Sequence, residues 1–204
     1  VMDHASLARW VLHAYSNSTH AVNEVEFFKV NYADCTLIAF RGTESSQAES
    51  FKESLSNKWD IVRDVRVIPW KAPGIPAGQA GFIRGAEAVL QELQSEGLST
   101  KPYVLVGHSM GGAIAVALWA FLEQLRCEVQ EVVTFGCPKV FYRGKTFRST
   151  SNAKVTMYRN GNDPVTQVFI GTHPVRLTAI GRKRLLWDFS DHGMQNYIKE
   201  LECL

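Results

Sequence analysis

The chain has 204 residues, 46% of them apolar and 21% charged, which suits one ordinary globular domain with a proper core spanning 1–204. A formal charge of +2 points to neither nucleic acid nor an acidic partner. No window approaches the roughly eighteen apolar residues that a membrane-spanning helix needs, and the scattered Cys35, Cys127, Cys137 and Cys203 suggest neither a disulfide framework nor a zinc site.

The opening Val1-Met2-Asp3-His4 lacks a basic region followed by an apolar one, which predicts a cytoplasmic protein; a processed secreted form would read the same way. Leu7, Trp10, Val11, Ala14 and Tyr15 recur at helical spacing, so the first segment is an amphipathic helix. Residues 25–32 and 35–40 read as two strands joined at Ala33-Asp34. The polar stretch 44–58 carries Ala48, Phe51 and Leu55 on one narrow helical face behind a Ser46/Glu49 capping box. Residues 59–70 are mostly extended, and 71–78, with Pro73-Gly74, Pro76 and Gly78, form a loop. A helix follows over 81–96 and ends at Gly97. After it come an apolar strand at 103–106, a helix to about 126 and a strand at 129–135. Another strand covers 153–159, with a turn at 161–164. Two short strands are expected at 173–180 and 184–188, around Gly181, and a closing helix runs over 192–201. Antiparallel strands first and alternating strands and helices afterwards predict an α/β protein. Its sheet is mostly parallel with an antiparallel start, and helices cover both faces.

Chemistry enters at Tyr103-Val104-Leu105-Val106-Gly107-His108-Ser109-Met110-Gly111-Gly112. An apolar strand turns sharply through a serine and becomes a helix. A Gly-x-Ser-x-Gly in that setting is the nucleophile elbow of α/β-hydrolases. Gly107 and Gly111 are required because a β-carbon at either place would strike neighbouring backbone. His108 adjoins the serine and is expected to point elsewhere. A serine hydroxyl attacks only if a base takes its proton, and the base needs a third group to fix its tautomer. In this fold the order is Ser, acid, His, which removes His4, His13 and His20 and leaves His173 and His192. His192, after the last strand, is favoured over His173, which precedes Pro174 and starts a strand. Asp163, in a turn after the 153–159 strand, is the expected acid, with an Asx-type cap as its plain alternative. Met110 opens the helix and supplies one oxyanion donor. Thr43, in Phe40-Arg41-Gly42-Thr43, is placed to supply the other.

Phe40-Arg41-Gly42-Thr43, Gly107-His108-Ser109-Met110-Gly111-Gly112, Gly136-Cys137-Pro138-Lys139-Val140, Asn162-Asp163-Pro164-Val165 and Asp191-His192 through Tyr197 together resemble, in order, the marks of the class 3 (fungal-type) lipases. The resemblance spans most of the chain, about 35–197. It implies an α/β-hydrolase fold, a triad of Ser109, Asp163 and His192, oxyanion donors Thr43 and Met110, and a helical lid at 44–58. The sequence departs from the pattern at Gln79-Ala80, ahead of Gly81-Phe82, where the family often has a His-Lys or similar pair.

The expected function is hydrolysis of carboxylic esters, acylglycerol-like or with short-to-medium acyl chains, through an acyl-enzyme that needs no cofactor and no metal. Phe51, Leu55 and Trp59 are the expected substrate-binding residues; Trp70 suits the same groove or the core equally. Arg182-Lys183-Arg184 offers a transient contact with anionic lipid heads, against the plainer reading of solvated charges beside a turn. The rival readings are a non-catalytic member of the fold that binds a ligand or partner, and an acyltransferase or thioesterase using the same serine.

Overall fold

The structure is a computed structural model that describes residues 2–42, 69–143, 152–183 and 189–204. Helix α1, His4–Ser16, starts where the Asp3 carboxylate accepts the Ser6 amide at 2.8 Å. It buries Leu7, Val11 and Ala14 of the expected stripe with Ala8 beside them, while Trp10 and Tyr15 are half-buried. Strands β1 (His20–Val22), β2 (Val25–Asn31) and β3 (Thr36–Phe40) then form an antiparallel meander. The sequence reading missed β1. Its turn, Asn23-Glu24, takes positive φ at both residues (47° and 64°), the geometry of a primed hairpin turn without the usual glycine.

Two short strands, β4 (Pro69–Trp70) and β5 (Gly78–Gln79), pair with each other around the predicted loop. Helix α2 (Ala80–Glu96) ends at Gly97, which adopts φ 93°. Strand β6 (Tyr103–His108), helix α3 (Met110–Gln124), β7 (Val129–Phe135), β8 (Lys154–Asn160) and β9 (Thr178–Ile180) complete the α/β portion. A single 3-10 turn, Phe189–His192, precedes α4 (Met194–Glu202). Thus the closing helix starts after His192 rather than on it. Of the strand expected over 173–180, only the last three residues pair; Pro174 interrupts the rest. The strand expected at 184–188 and the helical segment at 44–58 lie outside the described residues.

The main sheet has the order β1-β2-β3-β6-β7-β8-β9, with every pairing from β3 onward parallel. Alternate residues on each parallel strand face opposite layers. Ile38, Phe40, Tyr103, Leu105 and Val132 pack toward α2 and α3. Leu37, Ala39, Val104, Val106, Val133 and Phe135 pack toward α1 and α4. Helix α3 is buried along every face from Gly111 to Leu122, as its unbroken apolar run requires.

Candidate active site

Strands β3, β6, β7 and β8 all release their chains at one rim, the carboxyl edge where open α/β sheets hold ligands. They deliver Gly42, Ser109, Gly136 and Asp163 respectively. Ser109 sits between β6 and α3 with φ 55° and ψ −125°, a conformation that costs a non-glycine residue about 1–3 kcal/mol. Close packing holds it there. A β-carbon on Gly107 would lie 2.4 Å from the Gly111 carbonyl oxygen, and one on Gly111 would lie 2.3 Å from that of Arg41. The turn therefore lifts the serine side chain off the sheet and aims it at His192.

The Ser109 hydroxyl donates to His192 Nε2 at 2.9 Å, and His192 Nδ1 donates to Asp163 Oδ2 at 2.8 Å. Gly136, at φ 60°, forms the floor beneath this line: a β-carbon there would come 2.6 Å from Asp163 Oδ2 and 2.7 Å from His192 Nδ1. Asp163 is fully held. Its Oδ1 accepts the Val165 amide at 2.9 Å, and its Oδ2 also accepts the Tyr197 hydroxyl at 2.6 Å. Burial pushes this carboxyl up. The His192 hydrogen bond and charge, with the Tyr197 and Val165 bonds, outweigh burial and hold it below the usual carboxylate range. Next to it the buried Tyr197 hydroxyl is pushed well up, by burial and by the Asp163 charge, so it stays a donor.

The structure thus brings Ser109, Asp163 and His192 into one hydrogen-bonded line. His173 lies elsewhere, with Nε2 donating to the Thr166 carbonyl at 2.8 Å; it ties down the loop that follows Asp163. Met110 is the first residue of α3, so its amide belongs to the helix turn whose N–H groups lack intrahelical partners. Thr43, Phe51, Leu55 and Trp59 lie outside the described residues. Trp70 packs on the α2–α3 core with the Arg84 guanidinium 4.1 Å above its ring, away from the hollow beside the serine. That hollow, about 480 Å³, lies between β2 and α3; Val25, Phe82, Met110 and Ile114 give it apolar walls, while Glu24 and Arg41 give it a polar side.

Three participants escaped the sequence reading. Tyr197 braces Asp163 and accepts the Asn160 amide at 3.1 Å. Asp191 braces the acid's loop, its Oδ2 accepting the Asn162 amide at 3.0 Å and its carbonyl accepting Asn160 Nδ2 at 3.1 Å. His108, expected to point elsewhere, meets His192: its Nε2 lies 2.6 Å from the His192 carbonyl oxygen. The sequence signal for these residues is that Asp191 and Tyr197 bound the last of the five family marks and His108 lies inside the elbow; nothing in it assigned the contacts. Among the described residues no group of three or more His, Cys, Asp or Glu side chains is placed to hold a metal ion, and none of the four cysteines is in a disulfide.

The sequence profile described as "Lipase (class 3)" matches residues 37–172, two thirds of the chain. No curated protein matches the chain by sequence. Among solved structures, the fold is similar to a triacylglycerol lipase whose catalytic centre is formed by a serine protease triad, with a TM-score of 0.59 at 16% identity. That likeness covers 87% of this chain and 78% of the other. A lipase from Rhizopus microsporus var. chinensis gives a TM-score of 0.58 at 16% identity, over 81% of this chain and 68% of that one. The propeptide complex of Rhizomucor miehei lipase gives 0.53 at 16%, over 81% and 62%. At such identities the structural likeness speaks for the fold, and the sequence profile speaks for the family. The chain belongs to the class 3 lipase family and is a serine-type carboxylic-ester hydrolase with the α/β-hydrolase fold.

Proposed function

We propose that the chain hydrolyses lipid or other hydrophobic carboxylic esters through an acyl-enzyme, with Ser109 as nucleophile, His192 as general base and Asp163 as the group that orients the base. The observation that carries this reading is the continuous line from Asp163 Oδ2 through His192 to the Ser109 hydroxyl, drawn in front of the first turn of α3. His192 takes the serine proton as the oxygen attacks the ester carbonyl. Asp163 keeps the ring's Nδ1–H directed at itself, so Nε2 is free to accept. Charge that develops on the carbonyl oxygen meets the amide of Met110 and, in this reading, Thr43, the residue after Gly42. Collapse of the tetrahedral species expels the alcohol, which receives its proton from His192. Water then enters, gives its proton to the same ring and releases the acid by the reverse path.

The hollow walled by Val25, Phe82, Met110 and Ile114 supports a hydrophobic acyl chain, and its size suits a small-molecule site. The test combines a serine-directed phosphonate with p-nitrophenyl esters of rising chain length. We expect the phosphonate to label Ser109, and Ser109→Ala to lower kcat/KM by about 10⁶-fold without changing the melting temperature. An unchanged rate in that variant would end the reading. A wild-type protein that binds esters, resists the phosphonate and turns nothing over would instead mark a binding protein on this fold.

A further inference from the structure

Beneath His192 runs a second line of hydrogen bonds that ends at the loop after β3. The Gly42 amide lies 2.9 Å from the Tyr15 hydroxyl oxygen, that oxygen lies 2.7 Å from His108 Nδ1, and His108 Nε2 lies 2.6 Å from the His192 carbonyl oxygen. Each end allows only one assignment. A carbonyl oxygen only accepts, so His108 Nε2 carries a proton; an amide only donates, so Tyr15 accepts from Gly42. With Nε2 protonated, a neutral His108 has a lone pair at Nδ1, and the Tyr15 hydroxyl donates to it. Both side chains suit these roles. Burial, followed by the nearby His192 charge, lowers His108 to about 3, and burial pushes Tyr15 up to about 12, so neither titrates near neutrality.

We propose that Tyr15 and His108 are positioning residues: a strut of fixed hydrogen-bond direction that sets the height of His192 over Ser109 and locks it to the oxyanion side of the site at Gly42. The inference rests on His192 being the base. His192 needs such a support because of where it sits. It ends a single 3-10 turn, and Gly193, which caps α4, offers no side-chain cap. The His108 ring lies under the His192 ring, with centroids 4.6 Å apart and planes inclined by 31°, so it supports the imidazole by contact as well as through the carbonyl. At the other end Gly42 is wedged into the elbow: a β-carbon there would meet the Tyr15 hydroxyl at 2.5 Å and Ser109 Cβ at 3.2 Å. One strut therefore spans His192 and the loop after β3 that leads to Thr43.

Three variants test it. In His108→Gln the amide nitrogen occupies the place of ring Nε2 and still reaches the His192 carbonyl. In His108→Asn the shorter amide serves Tyr15 and falls short of that carbonyl, and Tyr15→Phe removes the middle link. On a soluble p-nitrophenyl ester, kcat should fall about 10- to 100-fold in His108→Asn, the scale of a small misplacement of a catalytic group, with KM within twofold of wild type. Tyr15→Phe should lie between that variant and wild type. His108→Gln should recover most of the loss. Equal losses in His108→Gln and His108→Asn would reduce His108 to a space filler and overturn the proposal, as would a His108→Asn rate equal to wild type. A second readout uses no substrate: NMR of protein with 15N-labelled histidine should give a neutral Nε2–H tautomer for His108, and a hydrogen-bonded Nδ1 proton on His192 that survives in His108→Gln and is lost in His108→Asn. An Nδ1–H tautomer of His108 in the wild type overturns the strut by itself. If the wild type hydrolyses no ester and resists the phosphonate, the functional reading fails, and the NMR outcome still decides the strut.

Discussion

On the α2–α3 side of the sheet the buried layer is mainly hydrocarbon: Ile83, Leu93, Ala117 and Leu118 have no exposed surface beyond 1%, and Phe82 matches them. On the α1–α4 side, made by the other face of the same strands, polar groups are buried among the apolar ones. Tyr197 and Asp163 meet there, as do Tyr15 and His108, and His4 holds both the Tyr158 hydroxyl (2.6 Å) and the Glu131 carboxylate (2.9 Å). The difference teaches how the two sides divide the work. Dispersion and burial fix how much volume lies behind a strand, whereas a hydrogen bond fixes a direction. Ser109 must be held at a height, which the packing of α3 provides; His192 must be held at an angle, which hydrocarbon cannot provide. The polar bonds are therefore on the face that supports the imidazole.

The sharpest way to break this division is to reverse one polar direction. Asp163→Asn keeps the shape but presents an amide whose N–H₂ can donate to His192 Nδ1, favouring the tautomer with Nε2–H, which cannot take the serine proton. We expect kcat/KM to fall about 10⁴-fold, with the phosphonate labelling rate falling in parallel. A loss under tenfold would mean that the orientation of the base is set elsewhere. The hydrocarbon side should answer in the other currency. Leu118→Ala, in the fully buried middle of α3, should cost about 2–5 kcal/mol of unfolding free energy by denaturant titration while kcat stays within twofold. If that variant instead lost catalysis and kept its stability, the elbow would be tuned from below by packing, and the contrast between the faces would collapse.

The sequence revealed what depends on short range. The elbow is legible because a tight strand-to-helix turn needs glycine on both sides of the serine, and Gly107 and Gly111 are the residues whose β-carbons would strike backbone. The parallel core is legible because the centres of β6 (Val104, Leu105, Val106) and β7 (Val132, Val133) are apolar on both faces, as strands covered by helices must be. The chain order of serine, acid and histidine led to the same residues that the fold brings within 3 Å of one another. The supports of the site were hidden because each is a single contact between distant stretches: 93 residues separate Tyr15 from His108 and 34 separate Asp163 from Tyr197. No periodicity marks such a pair. On the amphipathic α4, Tyr197 reads simply as one more core residue, since its ring packs in the α1–α4 layer while its hydroxyl alone reaches the site. The sequence set His173 aside through Pro174 and its place at a strand start, but not through its bond to the Thr166 carbonyl, which depends on how one loop folds back.

Tyr197→Phe makes the smallest change and separates the two roles most finely, because the ring that fills the layer stays and only the hydroxyl goes. Two buried partners lose a bond, the Asn160 amide and Asp163 Oδ2, so we expect about 1–3 kcal/mol of lost stability. The rate should fall about tenfold, equivalent to about 1.4 kcal/mol in the barrier. The pH dependence identifies which partner matters. In the folded protein Asp163 titrates below its ordinary 3.8, so the stability it contributes is present above that value and is lost as pH falls through the lower, folded value. Removing one of the donors that hold the carboxyl down raises the folded value toward 3.8. That narrows the gap on which the contribution depends, and acid unfolding of the variant should set in at a higher pH than in the wild type. A variant that loses the same stability at pH 7 as it does along the acid limb, below 3.8, would place the effect on the Asn160 amide, making Tyr197 a brace for the strand end rather than for the carboxylate. An acid limb that moves together with the tenfold loss in rate would show that the bond holding Asp163 ionised also holds it pointed at His192.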